Sequence, residues 1–121
     1  MLVVEDNFDN LQLIRFLLEQ AGYTVLEAHN GLEGIAAAQR ENPDLILLDL
    51  SMPEKDGWSM AREVKSDPRL AAIPVVAVTA HALPGDRKKA LDAGCDDYLS
   101  KPLNVSAFRE TIARVINERR K

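Results

Sequence analysis

Two uninterrupted apolar runs, Leu45-Ile46-Leu47-Leu48 and Val75-Val76-Ala77-Val78, constrain this chain more than any other feature. Neither alternates with polar residues. Each therefore reads as a strand buried on both faces, as in a parallel sheet covered by helices. Parallel strands need crossover connections, and helical patterns lie between the apolar runs. Leu2-Val3-Val4 reads as a first short strand. From Asn7 to Ala21, apolar residues recur at Leu11, Ile14, Leu17 and Leu18, and Gly22 ends that helix. Tyr23 to Ala28 reads as a second strand, closed by the turn Asn30-Gly31. A second helix follows with Leu32, Ile35, Ala36 and Gln39 on successive turns, and Pro43 stops it. A third runs from about Trp58 to Ser66, ended near Asp67-Pro68. Pro84 suits the first turn of a fourth helix and Gly94 its end. Asp97-Tyr98-Leu99 is a short fifth strand. Asn104 to Arg119 forms a last helix with Phe108, Ile112, Val115 and Ile116 inward. The expected class is α/β, a (βα)5 doubly wound parallel five-stranded sheet.

The 121 residues suit one domain, taken as 1–121. The single cysteine, Cys95, rules out an internal disulfide and reads as an inert packing residue. A net charge of −4 disfavours nonspecific binding to nucleic acid. No apolar run approaches the ~20 residues that span a bilayer, and the start lacks a signal-peptide pattern. The expectation is a cytoplasmic protein with no direct nucleic-acid binding and no membrane insertion. The charge is uneven: residues 1–60 carry 3 basic and 11 acidic side chains, and residues 61–121 carry 12 and 8. The basic end, Glu118-Arg119-Arg120-Lys121, reads either as a solvated helix terminus, which the dipole favours, or as a linker.

Polar residues fall at the ends of four of the five strands. Glu5-Asp6 follow Val4, Asp49 follows Leu48, Thr79 follows Val78, and Lys101 follows Leu99-Ser100. In an open α/β sheet, ligands bind beyond the carboxyl ends of the strands, so these residues are expected to converge. Three neighbouring carboxylates repel one another unless a cation sits among them. Magnesium, with about six oxygen ligands and several retained waters, suits such a set. An added ammonium and a hydroxyl donor make a site for a phosphoryl group, with a carboxylate as its nucleophile. Taken singly, each residue has a plainer reading as a helix cap, an ST-turn or a solvated loop.

In combination, Val4-Glu5-Asp6-Asn7, Leu47-Leu48-Asp49-Leu50-Ser51-Met52-Pro53 with Asp56-Gly57, Val78-Thr79-Ala80 and Tyr98-Leu99-Ser100-Lys101-Pro102 resemble a response-regulator receiver domain over the whole chain. The resemblance implies a flavodoxin-like sheet of order 2-1-3-4-5 and a phosphorylation-activated switch of two-component signalling. Asp49 would be the phosphoacceptor. Glu5, Asp6 and Asp49, with the backbone carbonyl of Ser51, would hold Mg2+. Lys101 and Thr79 would bind the phosphoryl group, and Tyr98 would be the switch aromatic. The bond to Pro102 is expected to be cis, and Gly57 would belong to a loop over the site. The donor would be a sensor histidine kinase or a histidine phosphotransfer protein, and output would run through protein contacts. His81-Ala82-Leu83-Pro84-Gly85-Asp86 and Ala93-Gly94-Cys95-Asp96-Asp97-Tyr98 resemble stand-alone cell-cycle regulators in particular. Receivers of this family usually carry two or three more residues before the first strand, which here begins at or beside Met1. A receiver excised from a larger regulator or hybrid kinase is the alternative.

Two other classes are open on residues alone. A phosphatase working through an aspartyl phosphate would need an acid/base aspartate two residues after the nucleophile, where this chain has Ser51. An inert interaction module would be expected to lose site residues. On the first helix, Phe8 and Leu11 read either as core or as an apolar patch that docks the donor. Trp58 reads as a partly buried packing residue.

Overall fold

A computed structural model of the chain describes residues 1–50, 56–79, 86–100 and 104–120; for 56–58, 86–87 and 119–120 it describes the backbone alone. Strands and helices alternate: β1 (Leu2–Val4), α1 (Phe8–Gln20), β2 (Leu26–Ala28), α2 (Gly31–Glu41), β3 (Ile46–Asp49), α3 (Asp56–Ser66), β4 (Val75–Thr79), α4 (Asp86–Asp92), β5 (Asp97–Ser100) and α5 (Val105–Arg120). The five strands form one parallel sheet in the order β2-β1-β3-β4-β5. The architecture is the one expected from the sequence.

Successive strand residues face opposite sides, and each side has its own core. Leu2, Val4, Ile46, Leu48, Val75 and Ala77 pack with Ala37 and Ala38 of α2, Met60, Ala61 and Val64 of α3, and Ala90 of α4. Val3, Leu47, Val76 and Val78 pack with Leu11, Ile14, Leu17 and Leu18 of α1 and with Phe108, Ile112, Val115 and Ile116 of α5. The inward faces of α1 and α5 are those that apolar spacing marks out. Burying each Leu or Ile contributes about 1.5–3 kcal/mol.

The phase of α2 differs from its sequence reading. Leu32 is 84% exposed, Ala36 and Gln39 face solvent, and Ile35 is half-buried. The buried face is Gly31, Gly34, Ala37 and Ala38. The reason is close approach: a Cβ built on Gly34 would meet Met60 Cε at 2.7 Å and Val4 Cγ2 at 3.0 Å. Helix α2 lies so near α3 and β1 that only small residues fit between them, and small residues carry almost no hydropathy signal. Strand β2 is also shorter than expected, beginning at Leu26 rather than Tyr23. Helix α3 begins at Asp56, so Asp56 and Gly57 stand in its first turn.

The amino end of the sheet is fastened by Lys65, from the last turn of α3. Its ammonium donates to Asp96 Oδ2 and to the Ile73 carbonyl, both at 2.9 Å. Asp96 Oδ2 also accepts the Val75 N–H at 2.8 Å. Gly94 permits this: its φ is +105°, and a Cβ there would lie 2.4 Å from Lys65 Cγ. Helix α3, the start of β4 and the turn before β5 are thereby joined away from the strands' carboxyl ends.

Candidate metal centre at the carboxyl edge of the sheet

Strand order decides which polar residues meet. β1 and β3 are neighbours, with Val4 in register with Leu48. Glu5 follows β1 directly, its N–H donating to the Ala28 carbonyl at 3.0 Å. Asp49 is the last residue of β3, in register with Val78 of β4. Glu5 and Asp49 therefore stand side by side beyond the sheet. Oxygens of Glu5, Asp6 and Asp49 all lie within 4.8 Å of one another. Glu5 is 1% and Asp49 3% exposed, whereas Asp6 faces solvent.

Buried carboxylates need donors or a cation. Glu5 Oε1 accepts the Asn7 N–H at 3.4 Å and Asn10 Nδ2 at 3.3 Å. Asn7 in turn caps α1, its side chain accepting the Asn10 N–H at 3.0 Å. The positive end of the helix dipole faces this cluster. Oxygens on one magnesium, each at about 2.1 Å, lie no more than about 4.2 Å apart, so a small side-chain movement closes the set on an ion. An all-oxygen, carboxylate-rich donor set with one solvent-facing member fits such a hard cation and gives it an entry route.

Thr79, the last residue of β4, is buried. Tyr98 is half-buried against the α2–α3–α4 core, with its hydroxyl enclosed. It pairs with Ala77 of β4, and Ser100 pairs with Thr79. Lys101, Pro102 and Ser51 lie outside the described residues, as do His81 and Pro84. On α1 the paired readings separate: Leu11 is 1% exposed and belongs to the core, whereas Phe8 is 72% exposed. Cys95 is buried and its thiol is pushed up to about 11, chiefly by loss of hydration and then by the nearby Asp96 charge. Asn10 is the contact that sequence reading missed; its position three residues after the cap Asn7 was the available signal.

Residues 1–113 match the family described as the response regulator receiver domain. The chain belongs to that family. Among curated relatives, the polar-differentiation response regulator DivK of Brucella anthropi is 42% identical over 118 residues, which is 98% of this chain and 96% of that protein. DivK of Brucella ovis is 41% identical over the same length. Among solved structures, the receiver domain of a sensor histidine kinase from Pseudomonas aeruginosa, with a magnesium ion coordinated in its active-site cleft, superposes with a TM-score of 0.87. It is 37% identical and covers 96% of this chain and 95% of that one. A CheY-like receiver domain from Methanospirillum hungatei gives a TM-score of 0.89 at 28% identity, covering 98% and 94%. As a receiver domain of a response regulator, the chain is a signalling switch of two-component systems. Among the described residues, no helix is long and apolar enough to cross a membrane.

Proposed function

We propose that this receiver, taken as the single domain 1–121, accepts a phosphoryl group from phosphohistidine onto Asp49 and passes the signal on through protein contacts. The observation that carries the reading is the convergence of Glu5, Asp6 and Asp49 within 4.8 Å at the junction of β1 and β3. An Asp49 oxygen forms the new P–O bond as the P–N bond of the donor breaks and the imidazole leaves with the electron pair. Mg2+, held by Glu5, Asp6, Asp49 and the Ser51 carbonyl, supplies charge neutralisation on the transferred group when bound. Lys101 adds a compact positive charge to the same oxygens. Thr79 donates its hydroxyl to the phosphoryl group, and its movement repacks the enclosed Tyr98 and with it the surface of α4, β5 and α5. A cis bond before Pro102 belongs to the same reading, and Gly57 stands in the first turn of α3.

The donor is a sensor histidine kinase or histidine phosphotransfer protein, reached in the cytoplasm. Autodephosphorylation resets the switch, so the protein is a phosphoacceptor rather than a dedicated enzyme. Incubation with a small-molecule phosphodonor and Mg2+ tests the reading. Stoichiometric, magnesium-dependent labelling is expected. Continuous release of phosphate would make the protein a phosphatase, and no labelling would make it an inert module.

A further inference from the structure

The start of α1 departs from an ordinary capping box in one informative way. In that arrangement the N-cap side chain takes the N–H three residues on, and the side chain there returns to the N-cap N–H. The first half is present: Asn7 Oδ1 accepts the Asn10 N–H at 3.0 Å. The second half is diverted. The Asn7 N–H goes to Glu5 Oε1 at 3.4 Å, and Asn10 Nδ2 reaches the same oxygen at 3.3 Å. Glu5, two residues before the helix cap, thus completes the cap in place of the side chain of Asn10. We infer that Asn10 is a positioning residue for the metal site, holding the buried Glu5 carboxylate in its ligating orientation; this rests on the reading of Glu5 as a magnesium ligand.

Glu has one more rotatable bond than Asp, and a carboxylate gripped at one oxygen by two donors loses that freedom. Its second oxygen is then presented in a single direction. Removing a hydrogen-bond partner of a metal ligand typically weakens metal affinity about 10–100-fold. Asn10 is half-buried and touches this site from the helix, so it acts through Glu5 and not on the ion.

Isothermal titration of the full chain with Mg2+ alone tests the inference through a double-mutant cycle. Asn10→Ala is expected to weaken Mg2+ affinity about tenfold. Glu5→Gln is expected to weaken it too, and adding Asn10→Ala to Glu5→Gln is expected to change it less than about twofold, because the ligand being positioned is no longer charged. Wild-type affinity in Asn10→Ala, or an equal loss in both backgrounds, overturns the positioning role while leaving Glu5 as a ligand. Wild-type affinity in Glu5→Gln overturns the ligand reading and the inference with it. In the unaltered chain, the side-chain amide resonance of Asn10 is expected to shift with the same saturation as the isotherm; an unmoved resonance contradicts the inference.

Discussion

Tyr98 and Thr79 lie on the same face of the sheet: Tyr98 is in register with Ala77, two residues before Thr79 on β4. The Tyr98 hydroxyl is enclosed on that face. A phosphoryl group at Asp49 that draws Thr79 toward it therefore changes the surface next to the aromatic ring. Tyr98 ring resonances are expected to shift when the protein is phosphorylated. In Thr79→Val, which keeps the shape and loses the hydroxyl, labelling by a small phosphodonor should persist while the ring shift is lost. A full ring shift in that variant would remove Thr79 from the coupling.

Leu11 and Phe8 share one helix but have opposite surroundings, 1% against 72% exposed. Leu11→Ala should cost about 2–5 kcal/mol in chemical denaturation and impair phosphorylation from every donor. Phe8→Ala should leave stability within about 0.5 kcal/mol of wild type. If the exposed ring docks the protein donor, that variant slows transfer from the histidine donor and spares the small-molecule reaction. Equal rates with both donors would mean that Phe8 takes no part in docking.

Gly34 and Met60 are in contact where α2 crosses α3, with 2.7 Å between a hypothetical Cβ and the Met60 methyl. Alanine gains up to about 1 kcal/mol in helix propensity over glycine. Overpacking against Met60 and the stiff Val4 opposes it, at about 1–3 kcal/mol. Gly34→Ala should therefore be neutral to destabilising by urea titration. A clearly stabilised variant would show that this contact is loose.

Cys95 gives a pH dependence. Its thiol ionises near 11 in the fold against an ordinary value of 9.0, because burial disfavours the thiolate. Between those values the unfolded chain has released its proton and the native chain has not. Stability therefore falls as pH rises through this window and is fully present below it. Cys95→Ala should flatten that alkaline slope. The native thiol should also resist alkylation at pH 8 and react on unfolding; rapid labelling of the native protein would contradict its burial.

The strand runs, the inward faces of α1 and α5 and the clustering of Glu5, Asp6 and Asp49 were legible because each depends on residue type and short spacing. Once β1 and β3 are neighbours, a carboxylate at the end of each must meet its counterpart. The phase of α2 was not legible. Its buried face is glycine and alanine, and Leu32, one of its two large apolar residues, points to solvent. There, interhelical distance outweighs hydropathy. The role of Asn10 is not legible either, because it depends on a side-chain direction, which spacing alone does not give. Phe8 and Leu11 are alike in the sequence for the same reason: both are apolar, and only the rotation of α1 on the sheet separates them.

The most direct measurement traps the acyl phosphate chemically. The protein is phosphorylated by a small-molecule donor with Mg2+, reduced with borohydride and digested, and the converted residue is located by mass spectrometry. Reduction of a carboxyl phosphate leaves an alcohol at the acceptor position only. Conversion at Asp49, absent when Mg2+ is chelated, is the expected result. Conversion at Glu5, Asp6 or any other carboxylate, with Asp49 intact, would contradict the assignment of Asp49 as the phosphoacceptor.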